Sequence, residues 1–309
     1  MKYLFAQPAI EYYTWQLEVS IASLLENKVD PGDIHIVSGR QNLVISPGFE
    51  KLQQKHPEIV WAFYHDNRSD KQRQYIPSIR PHLIKKHWRQ NPWLQDEVIF
   101  YMEADTILKK AVPKKYEKTE TWYLSNTTSY IGHDYIIDRD PRFLDLFCSI
   151  VGVDKELVKN NQKGSGGAQY IMKGLTEQYW EKVEKDCVEI YHQGSKLNQE
   201  IKAENPDWHE LQIWTACMWA HLWNAWLLGH KTKCPKDLEF AWATDPIDYL
   251  DKRWIFHNAG VVEDHNGLMM KSDYINSLPY DKTLEIDQTK AGSWYWAKVQ
   301  QVGKTSCLK

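Results

Sequence analysis

What the chain is short of narrows the reading first. Its five cysteines (Cys148, Cys187, Cys217, Cys234 and Cys307) are scattered, with no CxxC pair and no even framework. They build neither a disulfide scaffold nor a zinc ribbon, and read as packing thiols in a reducing compartment. No basic region followed by an apolar stretch opens the sequence. Met1 to Ile10 starts directly with a strand-like run, so the expectation is a cytoplasmic protein with neither signal peptide nor membrane anchor. At the other end, Cys307 stands one position too late for a prenylation box. No G-x-G-x-x-G follows the first strand-like run, which argues against a dinucleotide-dependent dehydrogenase. A net charge of -3 leaves no excess of positive charge for tight nonspecific binding to nucleic acid. No repeat and no low-complexity tract interrupts the chain.

What is present fits an α/β protein. With 309 residues and 42% apolar content, the chain can bury one large core or two intimate lobes. Its 15 Trp and 17 Tyr exceed what such a core requires; they fit a Trp-rich interior and a sugar- or base-stacking cleft equally well. Strand-like runs at Tyr3 to Ala6, Ile34 to Val37, Ile59 to Phe63 and Glu97 to Met102 recur about every thirty residues with helical patterns between them, which predicts βαβ units and a parallel sheet. Tyr13, Leu17, Ile21 and Leu24 repeat at helical spacing and dock the first helix on that sheet, with Asp30-Pro31-Gly32-Asp33 as its exit turn. The stretches 159–167 and 192–207 read as loops. Leu211 to Leu228, apolar on all sides, reads as a buried central helix rather than a membrane span.

Three segments could carry chemistry. Val98 to Leu108 reads as a hydrophobic strand ending in Glu103 and Asp105, one residue apart and so on one side of it. Hard oxygen ligands at the carboxyl edge of a parallel sheet can hold Mg2+ or Mn2+ against a pyrophosphate, although acidic residues after a strand are also ordinary turn formers. Ile255 to Gly260 is an apolar strand ending in His257. An imidazole there can complete a carboxylate site, and suits Mn2+ better than Mg2+, or it can be a structural histidine. Gly164 to Gln169 is expected to open a helix whose N–H groups approach a phosphate or sugar, its spacing matching no Walker loop; a flexible loop is the alternative.

In that order (acid-x-acid strand, Gly-rich element, buried helix, strand with His) the chain resembles the GT-A glycosyltransferases. Ile76-Pro77-Ser78-Ile79-Arg80-Pro81, Ser165 to Tyr170, the Trp214 to Trp226 helix and Trp254 to Gly260 look like the group of peptidyl hydroxyproline O-arabinosyltransferases and related phage and bacterial sugar transferases. This resemblance covers most of residues 1–262 and implies a GT-A fold, a Rossmann-like mixed sheet flanked by helices. The organisation expected is a nucleotide-sugar half over about 1–125, an acceptor and metal half over about 126–262, and a C-terminal extension over 263–309.

The resemblance further implies a metal-dependent hexosyl- or pentosyltransferase, leaning toward retention of configuration, that moves a sugar, arabinose being one candidate, from a UDP-sugar to a hydroxyl. Asp105 and His257 would bind Mn2+ or Mg2+. Glu103 replaces the first acid of the usual Asp-x-Asp pair and contacts the metal, a metal-bound water or the ribose. Arg80, Glu103, Ala104, Asp105, Gly166, Gly167 and Gln169 form the expected donor-binding set. Glu210 or Asp245 would be the base if configuration inverts, and Gln212 would orient sugar hydroxyls. The acceptor of a phage-encoded relative in a host cytoplasm could be 5-hydroxymethylcytosine in DNA. Lys85-Lys86-His87-Trp88-Arg89, with Lys109, Lys110, Lys114 and Lys115, interleaves charge and aromatics as a phosphate-tracking surface does, and as solvated helix faces do. A protein or glycan hydroxyl is the alternative acceptor, and a silent nucleotide-sugar or carbohydrate binder the alternative without catalysis; no membrane partner is expected. Asp134 reads as a surface turn or an acceptor-side residue, and Trp294, Tyr295 and Trp296 as a clamp for the tail or a lid.

Overall fold

A computed structural model describes residues 1–41, 44–118, 120–261 and 267–309. The expected boundary between 262 and 263 falls outside the described residues. Ten strands are present among them: β1 (Lys2–Pro8), β2 (Ile34–Arg40), β3 (Val60–His65), β4 (Ile99–Tyr101), β5 (Thr106–Leu108), β6 (Trp122–Asn126), β7 (Gly166–Met172), β8 (Thr232–Lys233), β9 (Phe240–Trp242) and β10 (Ile255–His257). The longer helices are α1 (Glu11–Glu26), α2 (Ile79–Gln90), α3 (Pro141–Val151), α4 (Glu177–Glu204), α5 (Ala216–Leu227) and α6 (Ala291–Gly303). The architecture is mixed α/β, and none of the described helices is long and apolar enough to cross a membrane.

The chain folds as two compact units. One, the split unit, is assembled from Lys2–His65, Met102–Lys114 and Lys236–Lys309; the other, the middle unit, from Met1, Asp66–Tyr101 and Lys115–Pro235. In the split unit β1, β2 and β3 run parallel, with Tyr3 opposite Ile34 and His35 opposite Val60. A second, three-stranded sheet places β10 between β5, antiparallel, and β9, parallel. The apolar repeat of α1 buries Trp15, Leu17, Val19, Ile21 and Leu24 as its spacing requires. Asp30 closes the exit turn by accepting the Gly32 N–H at 2.9 Å.

The middle unit is built around β4 and β6 on either side of β7, both antiparallel to it, with β8 parallel to β6. Here three expectations are corrected. The Gly-rich segment opens no helix: after a short turn at Gln162–Gly164 it becomes strand β7. Its glycines answer a packing need, because a Cβ on Gly166 would lie 2.5 Å from Leu124 Cβ and one on Gly167 would lie 2.1 Å from Met218 Cε. Ala168 takes a positive φ of 63°, where β6 and β7 shift register between Leu124 and Ser125.

Second, 192–204 is not a loop but the second half of the 28-residue helix α4. Polar residues there do the work of apolar ones. Asn198 pairs with Leu211 through both its amide nitrogen, at 2.9 Å, and its oxygen, at 3.2 Å, as a backbone partner would. Third, the apolar helix is shorter than expected. It starts at Ala216 and buries Trp219, Leu222, Trp223 and Trp226, while Trp214, Leu227 and Leu228 are exposed.

Candidate functional site

The split unit brings together Glu103, Asp105 and His257. The acids do not stand on a strand, as expected, but in the turn between β4 and β5, closed by the Thr106 N–H on the Glu103 carbonyl at 3.0 Å. His257 ends β10 opposite Thr106, and the next backbone N–H, that of Asn258, reaches the Asp105 carbonyl at 2.9 Å. Nε2 of His257 then lies 3.2 Å from Glu103 Oε2 and 3.3 Å from Asp105 Oδ1. The imidazole is stacked on Trp242 of β9, with centroids 6.1 Å apart and planes at 11°.

Two features missed by the sequence reading complete the site. Ser20, buried on α1, directs its hydroxyl at the carbonyls of Ala104 (2.6 Å) and Thr106 (2.8 Å), bracketing Asp105. One turn further along the same helix Ser23 accepts the Leu108 N–H at 3.2 Å, and Asn27, capping the helix end, donates to the Leu108 carbonyl at 3.0 Å. Helix α1 therefore hydrogen-bonds the outer edge of β5 as a neighbouring strand would. Its only trace in the sequence is a pair of serines inside an apolar repeat. The other feature is Lys271, whose ammonium pairs with Asp105 Oδ2. It follows no periodic pattern and stands 166 residues from its partner.

The electrostatics are those of a buried carboxylate held by cations. Burial pushes Asp105 up, but Lys271 and His257 outweigh it and hold the carboxyl well below its ordinary range. Burial pulls His257 down, yet Asp105 and then Glu103 carry it up to about 9. Lys271 is likewise raised, Asp105 overcoming its desolvation. Tyr12 at the start of α1 is raised by burial, with Lys271 and Asp105 acting on it in opposite senses.

Two carboxylate oxygens and one imidazole nitrogen within 4.8 Å of one another are a donor set that a divalent ion can use. Cis ligands of an octahedron with bonds of about 2.1 Å stand roughly 3 Å apart, close to the 3.2 and 3.3 Å seen from His257. The residues present fit a divalent metal ion.

The other expected site residues are placed as follows. Ala104 is buried in the acidic turn. Asp245 belongs to the split unit, where its carboxylate accepts the Trp242 N–H at 2.8 Å and closes the turn after β9. Tyr295 is buried and stacked on Phe256 of β10, 5.1 Å between centroids, so it clamps α6 to the sheet. Arg80, Gly166, Gly167, Gln169, Glu210 and Gln212 belong to the middle unit. Arg80 sits in the first turn of α2, 4.0 Å from Cys217 Sγ, and Gln169 is buried and accepts from Ser125 Oγ at 2.8 Å. Glu210 and Gln212 are exposed, and Asp134 is exposed in the first turn of a short helix. In the basic stretch His87 and Trp88 are buried, while Lys85 pairs with Glu184 and Arg89 with Glu177. Its aromatic half is therefore core and not surface.

No protein-family model matches the chain, and no curated protein matches it in sequence. Among solved structures it is similar to the bifunctional glycosyltransferase WbbM in its apo form, at 11% identity and a TM-score of 0.47 over 84% of this chain. It is also similar to the galactosyltransferase LgtC in complex with donor and acceptor sugar analogues, at 10% identity and a TM-score of 0.44, over 99% of this chain and 96% of that one. The chain spans 46% of the length of WbbM.

Proposed function

We propose that this chain is a metal-dependent glycosyltransferase of the GT-A type that uses a nucleotide diphosphate sugar. One observation carries the reading: Glu103 and Asp105 on a turn and His257, about 150 residues on at a strand end, bring ligand atoms within 4.8 Å of one another. The same residues are those that the motif order of the sequence singles out. Asp105 and His257 would hold the ion directly, and Glu103, whose side chain is 21% exposed, would reach the ion, a bound water or the ribose. A divalent cation there supplies Lewis acidity toward a departing diphosphate.

The remaining assignments belong to the same proposal. Arg80 and the backbone around Gly166, Gly167 and Gln169 are donor-side candidates. Glu210 and Asp245 are the candidates for a base if configuration inverts, the carboxylate of Asp245 also accepting a backbone N–H in its turn. UDP is the proposed carrier, with arabinose or a hexose as cargo and retention as the stereochemical course. The acceptor is a hydroxyl, with 5-hydroxymethylcytosine in DNA as the one to try first and protein or glycan hydroxyls next.

The test is nucleoside diphosphate release from a panel of UDP-sugars with Mn2+, with and without 5-hydroxymethylcytosine-containing DNA. Sugar-specific release that chelator abolishes is the expected result. Stimulation by the DNA selects that acceptor, and release without stimulation turns the search to proteins and glycans. Donor binding without any release would replace the enzyme with a silent binder, and full release in excess chelator would remove the metal from the reading.

A further inference from the structure

Both carboxylate oxygens of Asp105 are occupied. Oδ1 faces His257 Nε2 at 3.3 Å, and Oδ2 is paired with the Lys271 ammonium. A divalent ion seated between His257 Nε2 and Asp105 Oδ1, which stand at the spacing of two ligands, brings its charge against the Lys271 ammonium on the other oxygen of the same carboxylate. His257 cannot readily leave: it is 5% exposed, laddered on both sides by β5 and β9, and covered by Trp242 and Phe240. Lys271 can. Its side chain is 34% exposed, on four rotatable methylenes, at the first residue of a four-residue turn (Lys271–Tyr274). The turn itself is anchored by Tyr274, buried edge-on against Trp15 with centroids 6.2 Å apart. The exchange therefore asks for a side-chain swing and not for movement of the segment.

Charge points the same way. A buried carboxylate needs a counter-ion, and a flexible ammonium and a divalent ion both meet that need on the one carboxylate. They are competitors, and the more strongly one holds Asp105, the less the other can.

Resting on the metal reading above, we propose that Lys271 is the resident cation of the Asp105 site and exchanges with the divalent ion, so that metal loading releases the Lys271 side chain and Lys271 sets the site's metal affinity.

Two measurements on the full chain, with Mn2+ as the only ligand, test this. In the first, Mn2+ affinity is measured by calorimetry and by the electron paramagnetic resonance signal of free Mn2+, for the wild type and Lys271→Met. The variant is expected to bind roughly fivefold tighter or more, the lower end of typical coupling between sites. Equal or weaker binding overturns the proposal. The second uses the unmodified protein: the rate at which acetic anhydride labels Lys271, read by mass spectrometry, is expected to rise when Mn2+ is added. A rate that stays level or falls, in a protein that does bind Mn2+, sinks the exchange while leaving the metal site standing. Absence of Mn2+ binding in both proteins removes the metal reading and the exchange together.

Discussion

Each unit buries a carboxylate against a histidine and a lysine, and the two clusters are built to opposite ends. In the middle unit Glu184 receives His82 Nδ1 at 2.8 Å, Lys85 Nζ at 2.6 Å and Gln72 Nε2 at 2.8 Å. It is one acid with three well-aligned donors, all bridging α2 and its approach to α4. In the split unit two acids share one imidazole at 3.2 and 3.3 Å, and a half-exposed lysine serves one of them. The first cluster gives its one acid three short hydrogen bonds and brings no second acid to it. The second sets two acids on one imidazole at the spacing of a coordination shell, and its looser contacts mark it as the place where chemistry can enter.

Exchanging the two acids for neutral residues should pull the clusters apart most clearly. Glu184→Ala is expected to cost about 3–5 kcal/mol of stability, because it strands buried positive charge, while leaving Mn2+ affinity unchanged. Asp105→Asn should do the reverse. Lys271 can swing into solvent and His257, which stays in place, can give up its proton, so the loss of stability should be clearly smaller than at Glu184, while Mn2+ affinity and turnover fall by more than the roughly 10–100-fold that loss of an outer partner costs. Parallel denaturation and Mn2+ titrations decide; a stability loss at Asp105 as large as that at Glu184 would erase the distinction.

Histidines on which burial outweighs any neighbouring charge sharpen it further. Burial, with His230 nearby, holds His221 down at about 3, and burial, with Lys2 nearby, holds His35 at about 4. Both folded values lie below the unfolded value near 6.5, so the unfolded chain binds more protons in between. Their contribution to stability is complete above pH 6.5 and is lost as pH falls toward 4, at up to about 1.4 kcal/mol per unit for each group. Urea midpoints between pH 7 and 4 should show this fall, and His35→Gln should flatten part of it. A flat profile in the wild type would contradict the burial argument.

A smaller effect is expected at Ser20. Ser20→Ala leaves the carbonyls of Ala104 and Thr106 without its hydroxyl, at about 1–2 kcal/mol, and should weaken Mn2+ binding severalfold by loosening the acidic turn. Ser23→Ala, one turn away, serves as the control: an equal loss of metal affinity there would make the effect one of general stability.

The sequence showed the backbone of the split unit well, because its signals are local. The β1, β2 and β3 runs and the α1 repeat are single-period patterns, and Glu103, Asp105 and His257 stand at the ends of apolar runs. It misread the middle unit where polar residues serve a packed interior. Asn198 and Gly194 looked like loop residues, yet Gly194 is there because a Cβ would meet Ile213 Cδ1 at 2.3 Å. Glycines at 166 and 167 looked like a phosphate cradle for the same reason: a space requirement and a ligand requirement call for the same residue. Ser20 and Lys271 were out of reach, since their partners are set by tertiary packing across 84 and 166 residues.

The split unit also has a history in time. Its acidic turn is made when residues 102–114 leave the ribosome, but β9, β10, Lys271 and α6 come only after the whole of 115–235 has been synthesised. At ordinary translation rates that is on the order of ten seconds, during which Asp105 has neither His257 nor Lys271 and α1 lacks the Tyr280 and Ser306 hydroxyls that later bind Glu18 at 2.7 and 2.6 Å. All but the last stretch of the middle unit's residues are present through that interval, while the split unit still lacks its third segment. The site is thus completed late, and its completion reports that the chain from β1 to Lys271 has been made.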